Sequence, residues 1–198
     1  MNSSYAKHQK YSGDNVLIGG FTLIELMISI VIVAILSMIA GPYLFGFLNN
    51  QSMVAQSKRF KSSIEYSRQE ATSRLIPVVM CGSDDGVSCL GTLNWDQGWI
   101  IFLDRNDDQN PDLGTNRCLP AEDCLLKVDD PVVQGWTLTG DQSWIGFMAE
   151  GERAGGSATT FRLCGIDALA VGDTTLSRTL SINASGASAI QIGTATCP

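Results

Sequence analysis

From Leu26 to Ser57 the chain carries no charged residue, and the stretch Phe21 to Leu48 is apolar at most of its positions. About 20 apolar residues rising 1.5 Å each cover the hydrocarbon core of a bilayer, so residues 21–48 read as a single membrane-spanning helix. A secretory signal offers a poorer match, since its apolar region is only about 7 to 15 residues long and ends at a small-x-small cleavage site. A helix buried in a soluble core would keep a polar face, and this run has none.

Outside that block the composition is that of a polar globular domain. Counting from Phe21 there are 11 Lys and Arg against 19 Asp and Glu, a net charge of −8. That balance argues against a general grip on nucleic acid or anionic lipid. The flanking charges do not fix orientation, because Lys7 and Lys10, offset by Asp14, precede the span while Lys58, Arg59 and Lys61 follow it. Cysteine usage does. All six cysteines lie after the span, and an even number on one side indicates disulfides in an oxidising compartment. The globular part is thereby expected outside the cytoplasm and the N-terminus inside.

Glu25 is the one charge near the start of the apolar stretch. A carboxylate in a membrane helix costs at least about 2.5 to 3.5 kcal/mol and marks function by default. It requires a cation, yet the next basic residue downstream is Lys58. Cleavage between Gly20 and Phe21 would create an α-amino group one helical turn before it.

At these residues, Gly20-Phe21-Thr22-Leu23-Ile24-Glu25-Leu26, the chain resembles the type IV pilin superfamily. The resemblance implies a class III leader over residues 1–20, removed by a prepilin peptidase that cuts after Gly20 and methylates the new N-terminal Phe21. It implies that Glu25 pairs with the terminal amine of a neighbouring subunit, as a buried carboxylate requires. Gly41-Pro42 resembles the helix-breaking site of the superfamily, where proline removes a ladder bond and lets the helix bend or melt on assembly. The passage "SSIEYSRQEATSRLIPVVMCGSDDGVSC", followed by "WDQGWIIFLDRNDD", resembles the FimT/FimU/GspH group of minor pilins and pseudopilins. That implies a long N-terminal helix packed on two antiparallel sheets. It also implies other minor and major pilins and an inner-membrane assembly platform as partners, and a place at the pilus tip or in priming assembly.

Periodicity after the span supports this architecture. Met53, Phe60, Ile64, Ala71 and Leu75 recur at helical spacing, and Ile76-Pro77 ends the helix, because a residue before proline is driven to extended geometry. Strand-like runs follow at Val78–Cys81, Trp99–Leu103, Gly135–Thr139, Trp144–Met148, Thr160–Cys164, Arg178–Asn183 and Ala189–Gly193, separated by Gly, Asp, Asn and Ser clusters. The fold class is α+β, with residues 49–198 as a periplasmic globular domain.

The cysteine spacings fit no paired zinc ligands, and six cysteines allow fifteen connectivities. The expected pairs are Cys81–Cys89, Cys118–Cys124 and Cys164–Cys197, the last pinning the C-terminus. Catalysis by histidine is excluded from the mature chain, since His8 stands alone and lies in the leader. No nucleophile motif or phosphate loop frames the remaining candidates, so no enzyme, cofactor or metal is expected. The run Asp104–Asp112 alternates oxygen-bearing side chains as a calcium loop does, but Gln109 replaces the turn glycine and Thr115 the closing carboxylate. A solvated turn is the reading there.

Three functions remain open: a structural minor pilin of type IV pili, serving biogenesis and twitching; a DNA-binding pilin of natural transformation; and a pseudopilin of type II secretion. DNA-binding members carry a Gly-Arg-x-Arg motif near the C-terminus, and the corresponding place reads Gly186-Ala187-Ser188-Ala189. Without those cations the phosphate contacts that dominate affinity are missing.

Overall fold

The computed structural model describes residues 20–113, 118–119, 122–166, 176–193 and 197, with backbone alone inside the helix at residues 39–43 and 45. The chain divides into two units, Met1–Leu44 and Phe45–Pro198. A single helix, α1 (Leu23–Arg74), contributes to both.

In the first unit the described apolar side chains of α1 are exposed on every side, from Leu23 through Met38. Among the described residues no helix is long and apolar enough to cross a membrane. Helical backbone continues through residues 41 and 42, so the break expected at Gly41-Pro42 is not expressed in this state. A proline deletes one ladder bond without forcing the backbone out of helical geometry.

In the second unit the same helix becomes one-sided. Met53, Phe60, Ile64 and Ala71 are fully buried, as their spacing requires, and Ser57, Ser63 and Ser67 share the buried face. The small serines let backbone approach closely, and their hydroxyls are satisfied: Ser67 Oγ donates to the Ser63 carbonyl at 2.8 Å and Ser57 Oγ to that of Val54 at 3.0 Å. Leu75 does not extend the stripe. It is 73% exposed, because α1 has already ended at Arg74 and Leu75 takes a left-handed φ of 57° as the helix terminates ahead of Pro77.

Eight strands follow: β1 (Val78–Gly82), β2 (Trp99–Leu103), β3 (Cys124–Asp129), β4 (Thr137–Gly140), β5 (Trp144–Phe147), β6 (Thr159–Cys164), β7 (Ser177–Ile182) and β8 (Ser188–Ile192). They form two four-stranded antiparallel sheets, β3-β2-β1-β5 and β4-β6-β7-β8. Seven of them match the expected runs. The eighth, β3, was not anticipated. Its sequence Cys-Leu-Leu-Lys-Val-Asp belongs to a half-exposed edge and lacks clean alternation.

Phe60 joins both sheets. Its ring meets Trp99 of β2 edge-on at a centroid distance of 5.0 Å, Phe161 of β6 at 4.9 Å and Trp95 at 5.8 Å. Arg59 stacks over the other side of this cluster, 4.7 Å from the Trp99 ring centroid, and its Nη2 donates to the Asp130 carbonyl at 2.9 Å. β1 and β2 are buried on both faces. Val78 and Met80 point toward the main core, whereas Val79 and Cys81 join Ile100, Phe102 and Leu113 in a second small cluster. That is why those strands read as continuous apolar runs rather than alternating ones. The three disulfides pair Cys81–Cys89, Cys118–Cys124 and Cys164–Cys197. The last closes the longest loop and contributes about 3 to 4 kcal/mol in the loop-entropy description.

Replacing Phe60 by Ala is expected to lower the unfolding free energy by about 3 to 5 kcal/mol, measured by denaturant titration. A change under about 1 kcal/mol would show that the two sheets hold together without it.

Candidate functional site

The N-terminal end of α1 is built by a local sequence device. Glu25 N donates to Thr22 Oγ1 at 3.3 Å, which makes Thr22 the N-cap and Glu25 the third helical residue. Thr-x-x-Glu is the capping-box pattern, and it places a carboxylate in the first turn where the helix dipole favours it. As a charge alone, Glu25 calls for an amine; as the third helical residue it also closes the cap. The cap was legible in the same four residues. Farther along, Ser29 Oγ donates to the Glu25 carbonyl at 2.7 Å and Ser37 Oγ to that of Val33 at 2.7 Å, so the polar atoms of the apolar segment turn inward on its own backbone.

Gly20 and Phe21 precede the cap and are exposed, Phe21 at 84%. A Cβ built on Gly20 meets nothing within 4 Å, and its φ is not in the left-handed region. Among the described residues nothing demands glycine there.

The run after β2 is largely the exposed turn expected, with Asn106, Asp107, Asp108, Asn110 and Asp112 exposed, but its first residue departs from that form. Asp104 is fully buried rather than solvated. Its oxygens accept from Asp108 N at 3.2 Å and Gln109 N at 3.0 Å. Asp123, a residue the sequence reading did not single out, closes the loop from outside, accepting from Arg105 N at 2.8 Å and Asp112 N at 3.1 Å. Asp104, Asp108 and Asp123 each bring a carboxylate oxygen within 4.8 Å of the others, a grouping able to hold a hard cation. Thr115, the position of a closing ligand, lies outside the described residues. Burial pushes the Asp104 carboxyl up, against the lowering effect of those two N–H groups and with the Asp123 charge adding to the rise. In the Cys81–Cys89 loop the opposite holds: Asp85 accepts from Ser88 Oγ, Val87 N, Ser88 N and Ser83 Oγ and is held well below the usual carboxylate range.

At the C-terminal end, β7 turns into β8 through Asn183–Ala187. Gly186 has φ of 81°, and a Cβ there would stand 2.4 Å from the Gly151 carbonyl, so only glycine fits. Arg178, the one basic residue in the final stretch, is buried and donates from Nη2 to Asn50 Oδ1 at 2.9 Å and from Nη1 to the Ser177 carbonyl at 2.8 Å. It is a structural cation and does not form a phosphate-binding surface.

A long helix that is apolar on all sides in one unit and wedged between two antiparallel sheets in the other is the type IV pilin fold. The profile described as "Type II transport protein GspH" matches residues 56–186, well over half of the chain, and the "Prokaryotic N-terminal methylation motif" matches residues 18–41. The chain belongs to the GspH family. No curated protein matches it. Among solved structures it is similar to the type IV minor pilin FimU of Pseudomonas aeruginosa in its P21 crystal form, with a TM-score of 0.54 and 17% identity over 75% of this chain and 95% of that one. The P65 form of the same protein gives 0.48 and 18% identity over 71% and 94%. At such identities the likeness shows the fold.

Because its carboxyl is raised, folded Asp104 binds its proton more tightly than the unfolded chain does. The burial penalty on the carboxylate is in force above the folded pKa and is released as pH falls through it. A carboxyl-detected NMR titration is expected to find Asp104 titrating above the ordinary aspartate value, whereas a value at or below it would contradict the burial argument.

Proposed function

We propose that this chain is a structural minor pilin, incorporated into type IV pili or priming their assembly near the tip. The observation that carries this reading is the contrast along α1: the described apolar side chains are exposed on every side from Leu23 to Met38 and again at Leu44, Phe47 and Leu48, and a buried stripe held by two sheets follows. Exposed apolar surface of that extent needs cover. A bilayer before assembly and neighbouring pilin helices afterwards both supply it. In this reading residues 1–20 are a leader removed by prepilin peptidase, Phe21 becomes the methylated N-terminus, and residues 21–48 anchor the chain in the inner membrane. Residues 49–198 face the periplasm, where the three disulfides are stable. Glu25 meets the amine of a neighbouring subunit as the chain docks on the assembly platform. Gly41 and Pro42 supply the weak point of the helix during that transfer. The role is architectural, with no catalysis, cofactor or resident metal in it.

A pseudopilin of type II secretion is the second reading, favoured by the match to the family of the type II transport protein GspH. Deleting the gene and scoring twitching, DNA uptake and secretion together separates the readings. Loss of twitching with secretion intact is expected, and the reverse pattern would assign the chain to the secretion apparatus.

Among the described residues no contact requires glycine at position 20; in this reading the requirement is the peptidase's, which must approach the backbone there. Gly20→Leu is expected to leave a chain of unprocessed mass in the inner membrane, and normal processing would refute the leader assignment.

Glu25→Leu removes a desolvation cost of about 2.5 to 3.5 kcal/mol and should insert as well as the wild type. Its incorporation into sheared pili is expected to fall severalfold, read by immunoblot. Unchanged incorporation would give the carboxylate to the helix cap alone.

The isolated charge pattern argues against a DNA receptor. With Arg178 buried, no cation within the Gly186 turn itself and the adjacent Arg68 bonded to the Gly151 carbonyl, a polarisation titration with duplex DNA at low salt is expected to show no micromolar binding. Tight binding that weakens steeply with added salt would overturn the structural reading.

A further inference from the structure

Among the basic side chains that α1 carries in the second unit, Arg68 is held in a way of its own. Lys61 and Arg74 are ion-paired one turn away, with Glu65 and Glu70. Arg59 stacks on Trp99. The half-buried Arg68 instead donates from Nε to the Gly151 carbonyl at 2.8 Å. A neutral carbonyl leaves the charge in place, and among the described residues no carboxylate lies within ion-pair distance of it. A guanidinium has five N–H donors in a rigid fork, and those on Nη1 and Nη2 have no hydrogen-bond partner among the described residues.

Two glycines build this arrangement. Gly151 and Gly186 both have a φ of 81°, a conformation that L side chains rarely adopt. A Cβ on Gly186 would stand 2.4 Å from the Gly151 carbonyl and 3.0 Å from Arg68 Nε, and one on Gly151 would stand 2.8 Å from Thr72 Cγ2 and 3.3 Å from Arg68 Nε. Side chains at these positions would crowd the guanidinium. The fold therefore fixes one edge of the fork, and part of the ordering cost of a bidentate contact at its other edge is met before a ligand arrives.

Beside Arg68 opens a groove of about 450 Å³, walled by Glu65, Gln69 and Thr72 on the helix and by Gly186–Ser188 opposite. Glu65, the one acid on its walls, is already engaged, pairing with Lys61 and accepting from Ser188 Oγ at 3.3 Å. Glu150 and Glu152, on either side of Gly151, are exposed and lie outside the walls, where water screens them. Among the described residues Arg68 is the only cation lining the groove, and the exposed Gln69 adds an amide donor.

We infer that this groove binds a single carboxylate, which the Nη1 and Nη2 N–H groups of Arg68 hold in two parallel charge-assisted bonds. A phosphate dianion fits less well, because one guanidinium leaves its second charge beside Glu65. The carboxylate belongs to an Asp or Glu side chain of a partner polypeptide or to a small organic acid, and the recognition at Arg68 is the same. One recessed cation does not grip duplex DNA, whose affinity is built from several phosphate contacts. The inference does not depend on the pilin assignment.

The test uses the full chain in uncharged detergent micelles, isotope-labelled for NMR of the arginine side-chain nitrogens and the backbone amides. The probes are propionate and a capped tetrapeptide with one central glutamate, compared with propionamide and with the same peptide carrying glutamine. A saturable shift of Arg68 Nε and Nη, and of the Gln69 and Gly186 amides, is expected at millimolar acid, with none from the neutral amides. Tighter binding of the glutamate peptide assigns the site to a polypeptide partner, and equal binding of propionate assigns it to a small acid. Arg68→Lys keeps the charge but not the fork, and is expected to weaken binding at least about fivefold. Because Arg68 also ties down Gly151, the comparison of acid with amide on the wild-type chain decides the case even where that variant folds poorly. The inference is overturned by no saturable shift up to about 50 mM acid, by an equal shift from the neutral amides, or by undiminished binding to Arg68→Lys.

Discussion

The burial of Phe60 between two sheets is the contact on which the globular unit depends. One side chain from α1 meets Trp99 of the first sheet and Phe161 of the second, with Trp95 filling the third side. Neither sheet alone offers a complete core. Each has an apolar face that needs cover, and the helix supplies it to both through a narrow stripe whose serines allow close approach. The edge-on aromatic geometry adds about 0.5 to 1.5 kcal/mol per pair beyond the area buried. It also fixes the rotation of the helix about its own axis, since a slip of one residue would carry Phe60 out of the cluster.

That constraint has a consequence for the rest of α1. Because the second half is locked, the first half leaves the globular unit with its polar cap and its apolar surface already assigned. Thr22 and Glu25 close the start of the helix on itself, and Ser29 and Ser37 satisfy their hydroxyls within it. What remains outward is hydrocarbon. Such a segment is soluble in lipid or among identical helices, and it changes between them without rearranging its own hydrogen bonds. Glu25 is the exception, a carboxylate without an ion pair among the described residues.

Much of this was legible in the sequence. The apolar run, the buried stripe and seven of the eight strands after Pro77 stand in the spacing, and the three expected cysteine pairs are the ones the structure forms. The misses have physical causes. Leu75 fits the helical period, yet the period ends one residue earlier, because proline acts at a distance of two positions through Leu75 and Ile76. β3 escaped because an edge strand buries little and its Lys127 and Asp129 disguise it. Asp104 opens an Asn- and Asp-rich turn, where carboxylates are usually solvated. Its burial depends on Asp123, nineteen positions away, which caps the same loop from the next strand. The capping box at Thr22 was readable but was hidden behind the more conspicuous question of what neutralises Glu25.

The claim that organises the account is that α1 begins, in the working protein, at a free N-terminus one turn ahead of Glu25. Intact-mass analysis and N-terminal fragmentation of the wild-type chain, recovered from sheared filaments, test it most directly. The account predicts a chain that starts at Phe21, carries one added methyl group on its terminal nitrogen and co-purifies with the filament. A chain in that fraction that retains residues 1–20, or begins elsewhere, would contradict it.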